Sequence, residues 1–226
     1  MILAVTAGKG GVGKSTVAYN LAAELDAVAI DSDLGMADLP TARGPDLHDV
    51  LAGRAAPLEA VQDLGPVSMI PCGRSLAGAR AAEPTALVET VEAVARRYGT
   101  VVIDTPAGMR SDAGLPLLAA EACLLVTRPT RPAIADAVRA RELARVLETP
   151  LVGVALNRVD PERIGSQTDR QRRLADTLGA PIHKIPDSET VARAQRAGQP
   201  VRALDESAPA TEQFATLASA VRRALG

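Results

Sequence analysis

The chain runs through one apolar stretch, Ile2 to Ala7, and straight into Gly8-Lys9-Gly10-Gly11-Val12-Gly13-Lys14-Ser15-Thr16. From Ser15 to Asp26, apolar residues recur at Val17, Ala18, Leu21, Ala22 and Leu25, the spacing of a helix with one buried face. A buried strand, a glycine-rich turn and a helix in immediate succession leave few folds open. The glycines let the backbone curl until successive N–H groups point inward, and the helix opening at about Lys14 adds the positive end of its dipole. Such a loop is built to hold phosphate. Lys14 is placed to reach β- and γ-phosphates, and the Ser15 hydroxyl to ligate Mg2+.

The rest of the chain repeats the same alternation. Apolar, β-rich runs near 2–7, 27–31, 67–71, 100–104, 122–127, 151–156 and 182–185 are separated by helical patterns near 15–25, 84–97, 132–147, 168–178, 188–197 and 209–224. The strands lack strict polar alternation, as expected where helices cover both faces of a sheet. The pattern predicts an α/β fold, a doubly wound, mostly parallel sheet flanked by helices. The length suits one P-loop domain over residues 1–226. Residues 39–66 and 72–83, rich in Gly, Pro and Ala, read as irregular, with a short helix over 46–53. The last helical pattern puts Phe214, Leu217, Ala218, Val221 and Leu225 on one face, with Arg222 and Arg223 at its end. That face is expected to pack on the sheet, with the arginines complementing the helix dipole, rather than to lie on a membrane.

Composition removes several function classes. A net charge of −2 gives no general basic field, and 1% aromatic residues exclude base stacking as a main mode of binding. Cys72 and Cys123 form no C-x-x-C pair, so neither a zinc framework nor a disulfide scaffold is indicated, and each reads as a small buried residue. A signal peptide is not expected, since the sequence enters an apolar strand at once, and no apolar stretch approaches the ~20 residues that span a bilayer. The expected location is the cytoplasm.

Ligands in such sheets bind beyond the carboxyl ends of the strands. Four polar clusters fall there: Asp31-Ser32-Asp33-Leu34-Gly35, Asp104-Thr105-Pro106-Ala107-Gly108, Asn157-Arg158-Val159-Asp160 and Pro186-Asp187. Asp104 ends the strand Val101-Val102-Ile103, the position of a second metal-supporting acid in a P-loop site. Asp31 and Asp33, two apart, point to one side if the strand continues through both. Asp31 then neighbours the metal, and Asp33, farther into the loop, orients or deprotonates an attacking water. Asn157-Arg158-Val159-Asp160 approximates the N-K-x-D string that reads guanine, with arginine in place of lysine. Asn157 alone would serve an adenine edge equally well, and the residues leave the base open.

Lysine usage narrows the family. The chain has three lysines, Lys9, Lys14 and Lys184, and two of them share one loop. That loop, the Asp31-to-Gly35 and Ile103-to-Gly108 segments, and the stretch from Ile185-Pro186-Asp187-Ser188 to Gln199-Pro200-Val201 resemble the MinD/ParA family of deviant Walker A ATPases, with the MinD-like branch favoured. The resemblance runs in order over nearly the whole chain. It implies a P-loop NTPase fold of the SIMIBI type, ATP/ADP and Mg2+ as cofactors, and a homodimer that forms with ATP and hydrolyses it slowly. Lys9 would cross to the partner's phosphates, and Lys14, Gly8, Gly10, Gly11, Val12 and Gly13 would cradle the chain's own. Thr16 would meet the α-phosphate, Ser15, Asp31 and Asp104 the metal, and Asp33 the water. Asn157 and Arg158, with Pro186 and Asp187, would surround adenine, favouring ATP over GTP.

The implied role is a switch for spatial organisation, such as division-site placement, polar positioning or partitioning, with a regulatory or activating protein partner. A DNA-segregation ATPase is the alternative; it would use arginine stripes at Arg139, Arg141 and Arg145 and at Arg170, Arg172 and Arg173. A metal-cluster carrier would need Cys72 or Cys123 at a subunit boundary. The resemblance departs at Asp38, where many MinD-like members carry asparagine, and at the end of the chain, which closes on the last helix without the linker and basic amphipathic helix of membrane-binding members.

Overall fold

A computed structural model describes residues 1–34, 39–40, 43–73, 76–108, 114–164 and 169–226. Eight strands form one sheet in the order β3-β4-β2-β5-β1-β6-β7-β8. They are β1 (Ile2–Thr6), β2 (Val28–Asp31), β3 (Gln62–Asp63), β4 (Ser68–Ile70), β5 (Val101–Asp104), β6 (Ala122–Thr127), β7 (Leu151–Val159) and β8 (Ile182–Pro186). Every pairing is parallel except that of β3 with β4. The expected mostly parallel sheet is present. Its unexpected member, β3, is two residues long, too short to leave a periodic signal.

The helices are α1 (Lys14–Leu25), α2 (Leu47–Leu51), α3 (Leu76–Ala81), α4 (Leu87–Tyr98), α5 (Gly114–Leu118), α6 (Arg131–Val146), α7 (Asp169–Leu178), α8 (Glu189–Arg196), α9 (Val201–Leu204) and α10 (Pro209–Leu225). The stretch 72–83, expected to be irregular, thus carries α3. The turns α5 and α9 also escaped the sequence pattern, being only four or five residues long.

Residues along each central strand alternate between two cores. Leu3 and Val5 of β1, Ala29 of β2, Val102 of β5 and Leu124 of β6 pack with α1 and with Phe214, Leu217 and Val221 of α10. Val28, Ile30, Val101 and Ile103 face the other way, toward Leu47 and Leu51 of α2 and Val91 and Val94 of α4. With both faces covered, apolar residues are needed at every position, which is why the strands read as unbroken runs. The apolar face of α10 is buried on α1 and the sheet, as expected, and Arg222 donates to the Glu24 carbonyl at 2.9 Å. Among the described residues, no helix is long and apolar enough to cross a membrane.

Candidate active site

Strand β1 delivers the chain into the glycine loop, and α1 leaves from it with Gly13 in a left-handed conformation, φ 94°. Glycine is required there twice over: a Cβ would strain the backbone and would lie 2.1 Å from the Asn157 amide nitrogen. The loop lines a cavity of about 120 Å³ with Lys9, Gly10, Gly11, Gly13, Lys14, Ser15 and Thr16, joined by Ala107, Arg158 and Gln195. Lys9 is exposed at its rim, while Lys14 is buried. Gly8 lies behind the loop, packed against the backbone of Asp136.

Lys14 meets the end of β5. Its ammonium donates to Asp104 at 2.5 Å, with 7% of the lysine and 1% of the aspartate side chain exposed. Ser15, the next residue, stands beside the same carboxylate. Asp31 ends the neighbouring strand, in register with Asp104. Burial, and then the charge of Asp104, push its carboxyl up to about 8. Burial raises Asp104 as well, opposed by Lys14 and Ser15.

One oxygen of each acid, Asp31 Oδ2 and Asp104 Oδ2, is buried without a hydrogen-bond partner. Two buried carboxylates with orphaned oxygens beside a serine hydroxyl form the donor set of a hard divalent cation, and the residues fit Mg2+. Among the described residues no group of three or more His, Cys, Asp or Glu could hold a metal by itself.

The segment after β2 differs from the expectation in one respect. The strand stops at Asp31, and the chain turns: the Asp33 amide donates to Asp31 Oδ1 at 3.2 Å and the Leu34 amide to the Ser32 carbonyl at 3.0 Å. Ser32 bonds back to the Asp104 carbonyl through its amide and hydroxyl, at 3.0 and 2.8 Å. Asp31 is buried and Asp33 half-buried, so turning rather than strand alternation sets the two acids in different surroundings. Gly35 and Asp38 lie outside the described residues.

Asn157 and Arg158 depart further. They lie inside β7, not after it, at a break in the β7–β8 register between Leu156 and Val159. Arg158 takes φ 55°, a left-handed backbone uncommon for a side-chain-bearing residue. The break turns Asn157 inward and Arg158 out to the loop cavity. Asn157 Nδ2 donates to the Val12 carbonyl at 2.8 Å and its Oδ1 accepts from the Arg158 amide at 2.9 Å. Each end of the amide expected to face adenine thus makes one bond within the protein and keeps capacity for a second. Pro186 and Asp187 sit at the same end of the sheet, the Asp187 amide donating to the Val159 carbonyl at 2.7 Å. Gln195 of α8 reaches the loop cavity although no motif marks it; only the packing of α8 brings it there.

The arginine stripes are largely neutralised. Arg139 pairs with Asp136, Arg141 and Arg145 with Glu142, and Arg172 with Asp169. Cys72 and Cys123 are both buried, which removes them from any subunit boundary. A larger cavity of about 550 Å³ lies between α6, β7 and α7, floored by Ile134, Leu156, Val159 and Leu174, and none of the loop residues lines it.

A family model described as the CobQ/CobB/MinD/ParA nucleotide binding domain matches residues 3–201. An uncharacterised ATP-binding protein of Methanocaldococcus jannaschii is 33% identical over 232 residues, covering 98% of this chain and 88% of the relative. The septum site-determining protein MinD of Thermotoga maritima is 29% identical over 242 residues, with the same two coverages of 98% and 88%. The solved structure of a septum site-determining protein MinD from Pyrococcus horikoshii, complexed with Mg-ADP, superposes with a TM-score of 0.87 at 26% identity, over 100% of this chain and 97% of that one.

Proposed function

The chain belongs to the CobQ/CobB/MinD/ParA nucleotide-binding family, and from that membership we propose that it is a Mg2+-dependent ATPase that works as a dimerisation switch in spatial organisation, such as division-site placement or partitioning. The observation that carries the reading is the buried constellation of Lys14, Ser15, Asp31 and Asp104 under a glycine loop with Lys9 exposed at its rim. In this reading residues 1–226 act as one ATPase unit.

ATP enters the cavity with its phosphates on the loop amides and the α1 dipole. Lys14 exchanges Asp104 for β- and γ-phosphate oxygens and Thr16 meets the α-phosphate; Ser15, Asp31 and Asp104 would hold Mg2+, which would supply neutralisation of phosphate charge. Asp33 orients a water in line with the γ-phosphorus and takes its proton. A bond forms from the water oxygen to phosphorus, the bond to the bridging oxygen breaks, and ADP leaves with the electron pair. Lys9 of a second copy supplies the cation that stabilises the transferring phosphoryl group, so dimerisation and hydrolysis are coupled. Arg158 and Gln195 flank the nucleotide, with Pro186 and Asp187 nearby. Asn157 supports the loop from beneath, and adenine recognition falls to its neighbours.

A regulatory or activating protein acts on the dimer. The pairing of the arginine stripes argues against DNA as the surface of assembly. The MinD of Thermotoga maritima is named for septum-site determination, and this supports division-site placement as the process. Light scattering tests the switch: Asp33→Ala is expected to be dimeric at saturating Mg-ATP and monomeric without it, and the Asp33→Ala/Lys9→Ala double variant monomeric in both. An Asp33→Ala chain that stays monomeric with Mg-ATP overturns the reading.

A further inference from the structure

The turn that carries Asp33 is held from the side away from the loop by two residues that the nucleotide site does not include. Cys72 and Gly73 follow β4, and His48 lies in α2. The α2 amides of Leu47 and His48 donate to the carbonyls of Pro71 and Cys72 at 2.8 and 3.2 Å, which ties the two segments into one wall. From that wall the Cys72 thiol donates to the Asp33 carbonyl at 2.9 Å, and His48 Nε2 lies 3.3 Å from the Leu34 carbonyl. A carbonyl only accepts, so His48 Nε2 carries the hydrogen. The same nitrogen is 3.7 Å from the Cys72 sulfur.

Both side chains are buried, Cys72 to 1% and His48 to 3% exposure. The other ring nitrogen, His48 Nδ1, is buried with no partner. A histidine kept inside with one nitrogen unsatisfied is an expense that packing alone does not explain. Its seat is shaped to it: Gly73 has φ +113°, and a Cβ there would stand 2.5 Å from Nδ1. Burial, with the charges of Asp31, Asp33 and Asp46, pushes the Cys72 thiol far above its usual range, so the sulfur keeps its proton and remains a donor.

We propose that Cys72 and His48 are positioning residues for ATP hydrolysis: by gripping the carbonyls of Asp33 and Leu34 they fix the plane of that turn and so the direction of the Asp33 carboxylate. The proposal rests on the reading that Asp33 orients the attacking water. The turn is then held from three directions: Ser32 on the Asp104 carbonyl, the Asp33 amide on Asp31, and two consecutive carbonyls on Cys72 and His48. Cys72 and His48 can be altered without touching a phosphate or metal contact.

The test is steady-state hydrolysis with the full chain, alongside fluorescent-nucleotide binding and thermal melts. Cys72→Ala, which loses the donor, is expected to lower kcat roughly ten- to a hundredfold, the size of a small misplacement near reacting atoms, with KM for ATP within about twofold. Cys72→Ser, which keeps a donor, is expected to recover most of the loss. His48→Gln, whose amide can donate near the Nε2 position, should exceed His48→Leu in kcat by a similar factor. This second pair decides the matter if Cys72→Ala does not fold. In an Asp33→Asn background the Cys72→Ala change should add nothing further. Unchanged kcat in both donorless variants, or a loss that neither Ser nor Gln restores, overturns the proposal. Wild-type hydrolysis by Asp33→Asn itself would instead overturn the role given to Asp33, whatever Cys72 does.

Discussion

Asp104 at the end of β5 and Asn157 near the end of β7 occupy matching places on opposite sides of β1, and both are buried polar residues in contact with the glycine loop. They differ in how far the protein satisfies them. Asp104 spends one oxygen on Lys14 and leaves the other without a partner. Asn157 spends both ends of its amide, on the Val12 carbonyl and the Arg158 amide. An unsatisfied buried oxygen is tolerated where something else is to complete it, and a satisfied amide holds its neighbours in place. On the proposed function, the β2–β5 side of the loop is the chemical side and the β7 side the frame.

Removing the cation from the chemical side should have the largest effect. Lys14→Ala is expected to abolish Mg-ATP binding in a calorimetric titration. It should also destabilise the nucleotide-free chain by about 3 kcal/mol in a denaturant melt, because Asp104 loses the cation paired with it in the interior. A variant that still bound Mg-ATP at wild-type affinity would break the division between the two sides.

On the frame side, Asn157→Ala leaves the Val12 carbonyl buried and unpaired, an effect of about 1–3 kcal/mol on stability. Its signature is in selectivity: ATP and GTP affinities should fall by the same factor in parallel titrations, since the residue acts through the loop. A change in their ratio would return Asn157 to the base.

The smallest effect sharpens the contrast from the opposite direction. Asp31→Asn removes one of two adjacent buried carboxylates, and the nucleotide-free chain should gain on the order of 1 kcal/mol while losing most of its Mg2+-dependent stabilisation by ATP. Paired melts with Mg2+ and with a chelator would show both changes. A loss of stability without ligand would mean that Asp31 belongs to the frame.

Sequence was most informative where chemistry is local. Strand, glycine loop and helix are consecutive, and Asp31 and Asp104 announce themselves as acids ending apolar runs. It was least informative where a contact closes over a long separation. Asn157 has the type and place of a base reader, but its bond to Val12, 145 positions away, left no trace in the spacing. The register break that turns Asn157 inward exists only once β7 and β8 are paired. Cys72 reads as a small buried residue, and by burial it is; its bond to the Asp33 turn, like that of His48, depends on how α2 meets the end of β4. Gln195 had no signal at all, being one polar residue on a polar helix.

The Lys14–Asp104 bridge also divides the approach of a nucleotide into encounter and capture. The charge of Lys14 is cancelled within a buried pair, out of reach of solvent ions and of little use as a lure. The cations that face outward there are Lys9 and Arg158. They would gather a polyanion from a distance, with a pull that salt weakens, while the grip that follows comes from a charge released only on contact and hardly touched by ionic strength.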